Sequence, residues 1–143
     1  MKLVKQLSIS TGHRLPLHEG GCSNFHGHNY KIKVIINIPD LDVKNEYLSD
    51  SGYVVDFGVI KKVICDKFDH KFVMYKDDKF STVARKENFP GFVFVDYVPT
   101  AENMATDIAK EIKKTVIGQF NCVPVITIKL WETDQSYVVK TLS

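Results

Sequence analysis

The strongest constraint on the fold is an alternation of thirteen residues, HGHNYKIKVIINI, that begins at His26 and ends at Ile38. Successive side chains of a β-strand project to opposite faces, so residues of one parity share a face. Here one parity holds both histidines, a tyrosine and four aliphatic residues, whereas the other parity is mostly polar. The pattern predicts a long strand with one buried face, and it places both imidazoles at the start of that face.

Further strands and two helices are predicted around this element. The segment 3–13 reads as a strand that can pair with it across a loop at 14–25. Helical spacing begins at Gly58, and a second helix begins after the N-cap residue Thr100 and ends at Gly118. Because strands and helices do not alternate strictly, we expect an α+β fold with an antiparallel sheet and helices on one face. Shorter strands are predicted at 52–56, 91–98, 123–132 and 136–142, and no regular element at 72–89.

The bulk composition is that of a single domain spanning 1–143. Of the 143 residues, 44% are hydrophobic and 25% are charged, which predicts a packed core. The net charge of +2 and the lack of a Lys/Arg block argue against a nucleic-acid partner. No apolar run approaches the roughly 20 residues that span a bilayer, and the N-terminus lacks a signal-peptide core. We therefore expect a soluble, cytoplasmic protein without a membrane partner.

The three cysteines are widely spaced, and without an export signal no disulfide is expected. Cys65 lies in an apolar helical pattern and Cys122 just before a strand, so both are interpreted as small core residues. Cys22 differs, because its neighbours are glycine, serine and asparagine. It is therefore predicted to lie in a loop, where a thiol is accessible.

The two histidines of the alternating strand are spaced for metal binding. On one face of a strand, the Cβ atoms of His26 and His28 lie roughly 6–7 Å apart, so their ring nitrogens can converge on one cation. A catalytic zinc takes three protein ligands and keeps one position open. His13, at the end of the first strand, is the candidate third ligand, and His18 in the loop is its competitor. The alternatives are histidines without a metal, a structural site closed by Cys22, and an open site with Cys22 as base or nucleophile.

Two acidic residues, Asp69 and Glu132, lie at positions where a carboxylate suggests a specific role. Asp69 precedes His70 at the end of the first helix, and such a pair can activate a thiol or simply end a solvated helix. Glu132 follows three apolar residues of the same strand parity. A buried carboxylate needs a partner, either a lysine or a ligand with paired N–H donors, unless the strand has already reached water.

Six segments in order along the chain carry a resemblance to a known family. They are GHRL (12–15), C-x3-HGHNY (22–30), VVDFGVIK (54–61), DH (69–70), PTAEN (99–103) and WET (131–133). With these segments the chain resembles the 6-pyruvoyl-tetrahydropterin synthase family, which includes the 6-carboxytetrahydropterin synthases of queuosine biosynthesis. The resemblance implies a tunnelling fold, with a four-stranded antiparallel sheet and two helices on one face. It also implies a homohexamer of two stacked trimers.

The resemblance further implies a role for each candidate residue and an active site between subunits. The zinc ligands would be His13, His26 and His28. Cys22 would be the thiolate base, with Asp69 and His70 as its partners. Glu132 would anchor the pterin through its amino-pyrimidine N–H groups, and Thr100 and Glu102 would line the pocket.

The C-x3-HGH spacing is similar to that of the bacterial carboxy-type enzymes. These convert 7,8-dihydroneopterin triphosphate to 6-carboxy-5,6,7,8-tetrahydropterin and release acetaldehyde and triphosphate. Two alternatives stay open: a pyruvoyl-forming enzyme with the same residues, and a zinc- and pterin-binding module without turnover, which the unusual KFVMY after His70 favours. Arg14, Lys31 and Lys33 are candidate triphosphate contacts.

Overall fold

The structure is a computed structural model that describes residues 1–39, 52–117 and 123–143. A mixed sheet of six strands, in the order β4-β3-β1-β2-β5-β6, forms its centre. The strands are β1 (Lys2–His13), β2 (His26–Asn37), β3 (Lys71–Tyr75), β4 (Phe92–Val95), β5 (Val125–Trp131) and β6 (Tyr137–Leu142).

The prediction of a four-stranded antiparallel sheet is corrected by this topology. Strands β1, β2, β5 and β6 do pair antiparallel in one block. Strands β3 and β4 extend this block at the β1 edge, and both pair parallel to their neighbours. The connection between β3 and β4 runs through a short helix, α2 (Ser81–Lys86), and a crossover of this kind makes parallel neighbours. The segment 72–89, for which no element was predicted, therefore contains most of a strand and a helix.

The pairing of β1 with β2 positions the functional residues. Its register sets His13 opposite His26 and Gly12 opposite Gly27. A Cβ atom on Gly27 would lie 3.0 Å from the carbonyl oxygen of Thr11, which is closer than side chains normally pack. The glycine between the two histidines thus lets the backbones of β1 and β2 approach closely.

Two longer helices, α1 (Phe57–Phe68) and α3 (Ala101–Val116), pack against the apolar face of the sheet. Asp56 is the N-cap of α1, and its carboxylate accepts a hydrogen bond from the amide of Gly58 at 2.6 Å. The predicted strand at 52–56 is wrong, because this segment leads into the helix cap and forms no strand. Thr100 caps α3 as predicted, while Gly118 lies outside the described residues.

The core confirms the strand parity read from the sequence. Tyr30, Ile32, Val34 and Ile36 of β2 are at most 1% exposed and face the helices. Cys65 of α1 is partly buried against this core, whereas Cys122 lies outside the described residues. None of the described helices is long and apolar enough to cross a membrane.

Candidate functional site

Three histidines meet where β1 ends and β2 begins. One ring nitrogen from each of His13, His26 and His28 lies within 4.8 Å of the others, and no fourth described residue joins this group. The ring centroids are 4.5 Å apart for His13 and His26, and 5.1 Å apart for His26 and His28. His18 is not part of the cluster, because its Nδ1 accepts a hydrogen bond from the amide of Gly20 in its own loop.

Backbone carbonyls orient two of the three rings. Nδ1 of His13 donates to the carbonyl of Pro99 at 2.7 Å, and Nδ1 of His26 donates to the carbonyl of Asn24 at 2.9 Å. With Nδ1 as the donor, Nε2 of each ring is the nitrogen left to bind a cation. Histidines that bind metals are commonly held in this way by a hydrogen bond at the other nitrogen.

The cluster fits a metal ion. Nε2 of His26 is buried and has no hydrogen-bond partner, although a buried polar atom is nearly always paired. A cation shared with His13 and His28 would satisfy this atom. Three imidazole nitrogens are a typical ligand set for zinc with one position left open.

Electrostatics favour the neutral, metal-binding form of His13. Burial lowers the pKa of His13 below its ordinary value, and the neighbouring imidazoles of His26 and His28 act in the same direction. The hydrogen bond to Pro99 and the carboxylate of Glu132 oppose the shift without reversing it. A metal ion therefore displaces little bound proton from this ring at neutral pH.

A carboxylate and a phenol border the histidines. The hydroxyl of Tyr30 donates to Oε1 of Glu132 at 3.0 Å, and the same oxygen lies 3.5 Å from Nε2 of His13. Burial, followed by the charges of Glu132 and Cys22, raises the pKa of Tyr30, so the phenol keeps its proton. The side chain of Glu132 remains 31% exposed, so it keeps a surface open to a ligand. No lysine pairs with it among the described ion pairs.

Sequence reasoning gave Tyr30 no role. The residue is fully buried, with its ring edge-on to both His13 and His28. The signal was present in the sequence, since Tyr30 has the same strand parity as the two histidines of HGHNY.

Cys22 lies in a short 3-10 turn, Gly21–Ser23, within the predicted loop. The amide of Leu15 donates to the carbonyl of Cys22 at 2.8 Å, which closes the loop on itself. The thiol is free and partly buried. The turn belongs to the loop that joins His13, at the end of β1, to His26, at the start of β2.

A buried ion pair holds this turn in place. Nε of Arg14 donates to the carbonyl of Ser23 at 2.9 Å, and Nη1 donates to Oδ1 of Asp78 at 2.6 Å. The guanidinium also lies over the ring of Phe80, 4.9 Å from its centroid. We call this contact the Arg14–Asp78 clamp. Because the guanidinium is buried and paired, Arg14 is not available as a triphosphate contact, which corrects that expectation.

Asp69 and His70 lie on the other edge of β1, towards β3. Oδ1 of Asp69 accepts a hydrogen bond from the amide of Ser10 at 2.9 Å, and the amide of His70 donates to the carbonyl of Ser10 at 2.8 Å. The imidazole of His70 is 84% exposed, and its Nε2 is 3.9 Å from Asp69. Within the described residues, no hydrogen bond or ion pair connects this pair to Cys22.

The segment that follows β4 leads into α3 and contacts His13 through the carbonyl of Pro99. Thr100 accepts a hydrogen bond from the amide of Asn103 at 3.3 Å, as an N-cap does, and Glu102 is exposed in the first turn of α3. The cap fixes the start of α3 directly beside Pro99, whose carbonyl holds His13. The structure thus gives Thr100 a structural task, while pocket contacts of Thr100 and Glu102 stay a prediction.

Comparison with known proteins decides the family. Residues 2–141 match the family model for 6-pyruvoyl tetrahydropterin synthase. The chain belongs to this family. Among relatives of the 6-pyruvoyl tetrahydropterin synthase family, the 6-carboxy-5,6,7,8-tetrahydropterin synthase of Rickettsia felis is 33% identical, over 96% of this chain and 98% of the relative. The enzyme of the same name from Haemophilus influenzae is 32% identical over 95% of each chain.

Solved structures share the fold of this chain. An uncharacterized protein from Wolinella succinogenes superposes with a TM-score of 0.75 at 19% identity, covering 100% of this chain and 98% of that one. The 6-pyruvoyl tetrahydropterin synthase of Plasmodium falciparum superposes with a TM-score of 0.65 at 16% identity, covering 99% and 97% of the two chains. The expected tunnelling fold is thus confirmed at the level of the family, with the strand count corrected as described.

Proposed function

We propose that the chain is a zinc-dependent 6-carboxy-5,6,7,8-tetrahydropterin synthase, a lyase acting on 7,8-dihydroneopterin triphosphate. The observation that carries the proposal is the buried, unpaired Nε2 of His26 among three converging imidazoles, with the carboxylate of Glu132 3.5 Å from Nε2 of His13. The free thiol of Cys22 lies in the loop between His13 and His26. The names of the relatives from Rickettsia felis and Haemophilus influenzae support the carboxy product.

In this proposal, different residues of the chain recognise the pterin, hold the zinc ion and transfer protons. Glu132 would accept hydrogen bonds from the amino-pyrimidine N–H groups of the pterin, because an ionised carboxylate recognises paired donors. A bound zinc ion supplies Lewis acidity at the substrate's side-chain hydroxyls. Cys22, in the loop between His13 and His26, would remove a proton from the adjacent carbon and return one later as general acid. The Arg14–Asp78 clamp would keep the turn with Cys22 facing the histidines.

Asp69 and His70 enter this scheme through a neighbouring subunit. In one chain they border the opposite edge of β1, and no described contact links them to Cys22. A homo-oligomer, as a hexamer of two stacked trimers, would bring His70 of one chain to Cys22 of another. A symmetric assembly repeats such a contact at every equivalent interface.

Product analysis tests the reaction. Zinc-loaded protein is supplied with 7,8-dihydroneopterin triphosphate, acetaldehyde is detected with a coupled dehydrogenase, and the pterin is identified by mass spectrometry. We expect acetaldehyde in equal amount to the 6-carboxy product. A pyruvoyl pterin without acetaldehyde would assign the chain to the pyruvoyl-forming reaction, and pterin binding without turnover would assign it to a binding module.

The Cys22→Ala variant separates the roles of the thiol. We expect it to lose turnover while it retains zinc and pterin. If it loses zinc and unfolds instead, Cys22 is the fourth ligand of a structural site, and the proposal fails.

Mixing two inactive variants tests the shared site. Cys22→Ala and His70→Ala chains are unfolded together, refolded and assayed. If each site takes the two residues from different chains, random assembly restores about a quarter of the wild-type activity, because each residue is intact in half of the chains. Absence of any recovery in properly assembled protein would argue for a site within one chain.

A further inference from the structure

The carbonyl of Pro99 orients His13, the most buried of the three clustered histidines. The imidazole is 1% exposed, and its Nδ1 lies 2.7 Å from the carbonyl oxygen of Pro99. Because the proline ring fixes φ, rotation about ψ is the backbone motion of Pro99 that can still turn this carbonyl. Whatever fixes this rotation therefore also fixes the direction in which the imidazole of His13 points.

A three-residue turn, 98–100, fixes the rotation. The amide of Thr100 donates to the carbonyl of Val98 at 2.8 Å, which closes the turn with Pro99 at its centre. The N–H of Thr100 and the C=O of Pro99 belong to one planar, trans peptide group, so they point in opposite directions. The hydrogen bond to Val98 thus sets the direction in which the Pro99 carbonyl meets His13.

The side chain of Asn103 supplies a second donor to this turn. Its Nδ2 donates to the same carbonyl oxygen of Val98 at 2.9 Å. A carbonyl oxygen has two lone pairs, so it can accept from the amide of Thr100 and from Asn103 together. The Val98 carbonyl is therefore held from two sides, by its own turn and by the first turn of α3.

Helix stability alone does not account for an asparagine at position 103. Asn103 is the third residue of α3, and its side chain is exposed. Asparagine is a poorer helix former than alanine or glutamate, and an acidic residue here would also interact favourably with the helix dipole. A residue that costs helix stability at an exposed position indicates another task, which here is the hydrogen bond to Val98.

We propose that Asn103 is a positioning residue for the metal site, because it holds the turn 98–100 in the form that orients His13. This role rests on the proposed function only in that His13 is taken as a metal ligand. Without the side-chain amide, the Val98 carbonyl keeps one hydrogen bond, and the peptide group after Pro99 gains freedom to rotate. His13 then spends less time in the tautomer and orientation that direct Nε2 towards a cation.

Zinc affinity and the imidazole signals of His13 test this role without an assay of turnover. Asn103→Ala removes the donor and raises helix propensity, so the variant should fold. We expect its zinc affinity, measured by competition with a chelator, to fall about threefold to tenfold, below the roughly tenfold to hundredfold typical when a ligand's direct partner is lost. In zinc-free protein labelled with ¹⁵N-histidine, the Nδ1–H signal of His13 should weaken.

Two further variants separate positioning from helix stability. Asn103→Asp keeps the shape of the side chain, but an ionised carboxylate cannot donate to Val98. Because a negative charge suits the first turn of a helix, this variant should keep or gain stability in urea and still show the altered His13 signal. The control is Thr106→Val, which removes a hydrogen bond of 2.8 Å from the Thr106 hydroxyl to the carbonyl of Glu102 in the same helix. It should match wild type in zinc affinity and in the His13 signal.

Unchanged zinc affinity in folded Asn103→Ala would overturn the proposal, as would an unchanged His13 signal in both Asn103 variants. An equal loss of affinity in Thr106→Val would also overturn it, because the effect would then follow from general loosening of α3. Failure of the proposed function gives a different pattern, in which the wild-type chain binds no zinc at the histidines or forms no product. The signals of the zinc-free chain still decide the role of Asn103 in that case.

Discussion

The two edges of β1 carry two sites that differ in how complete they are. On the β2 side, the rings of His13 and His26 are each held by a carbonyl, and the cluster is assembled within one chain. On the β3 side, only the carboxylate of Asp69 is fixed, while the imidazole of His70 is 84% exposed. The first site is preorganised for a ligand by its own fold. The second has an anchored backbone, but within the described residues no hydrogen bond orients its imidazole, which only approaches Asp69 to 3.9 Å.

Backbone geometry sharpens this contrast. His70 has a φ of 56°, in the left-handed region that non-glycine residues seldom adopt. Such positions persist when the surrounding structure enforces them, and they are frequent at functional sites. Two hydrogen bonds at Ser10, one to Asp69 and one from His70, enforce the position here. The strand thus presents His70 outward, where a neighbouring subunit could use it.

The largest effect is expected from the complete site. His26→Ala removes the ring with the unpaired buried nitrogen, so zinc affinity should fall by more than about a hundredfold and turnover should vanish. This loss exceeds the one typical when only a hydrogen-bond partner of a metal ligand is changed. Zinc per chain after dialysis, measured by mass spectrometry, checks the prediction. His18→Ala, which removes an exposed histidine bound only to its own loop, should keep its zinc. Undiminished zinc in His26→Ala would mean that the cluster is not the metal site.

The second largest effect is expected from His70, on the β3 side of β1, and the zinc content of the protein should not change. His70→Gly removes the imidazole and relieves the left-handed backbone, so turnover should fall about a hundredfold to ten-thousandfold while stability is kept or raised. Asn88→Gly is the matched control, since Asn88 has a φ of 51° and its described hydrogen bond goes to Arg85 at the end of α2, not to His70 or Cys22. It should gain the same stability and keep full activity. Loss of zinc in His70→Gly would contradict the separation of the two edges.

The complete site was also the more predictable of the two. Strand parity put His26 and His28 on one face of β2 and aligned Glu132 with the apolar residues of a second strand. The expected pairing of the first two strands made His13 the candidate third ligand. What parity could not give was the Arg14–Asp78 clamp, because its partners are 64 positions apart and meet only through tertiary packing. Strand β3 was missed, and β4, although predicted within 91–98, was not expected to pair parallel, for a similar reason. Their few apolar residues lack alternation, and their parallel pairing depends on elements distant in the sequence.

The Arg14–Asp78 clamp is expected to hold the turn that carries Cys22 in a fixed position, as the carbonyls of Pro99 and Asn24 hold His13 and His26. Asp78→Ala leaves the Arg14 guanidinium buried without its counter-ion, which should lower the free energy of unfolding by about 3–5 kcal/mol. Urea unfolding measures this loss, and the rate of Cys22 alkylation under native conditions should rise as the turn is released. Asp66→Ala breaks an exposed pair with Lys62 and should change neither measurement noticeably. Unchanged alkylation in folded Asp78→Ala would show that the turn is held by other contacts.

The smallest effect is expected at Thr100, where a substitution can distinguish an N-cap of α3 from a contact to the pterin. The hydroxyl of Thr100 accepts a hydrogen bond from the amide of Asn103, and Thr100 directly follows Pro99, whose carbonyl orients His13. Because Thr100→Ala removes this cap, it should lower the free energy of unfolding by about 1 kcal/mol. If that is its only task, Thr100→Ser restores the stability, and both variants bind pterin as the wild type does in fluorescence titrations. A Thr100→Ala protein that weakens pterin binding while Thr100→Ser does not would instead place the hydroxyl in the pocket. The substitution therefore asks whether the complete site extends from the strands into the first turn of α3, or ends at Pro99.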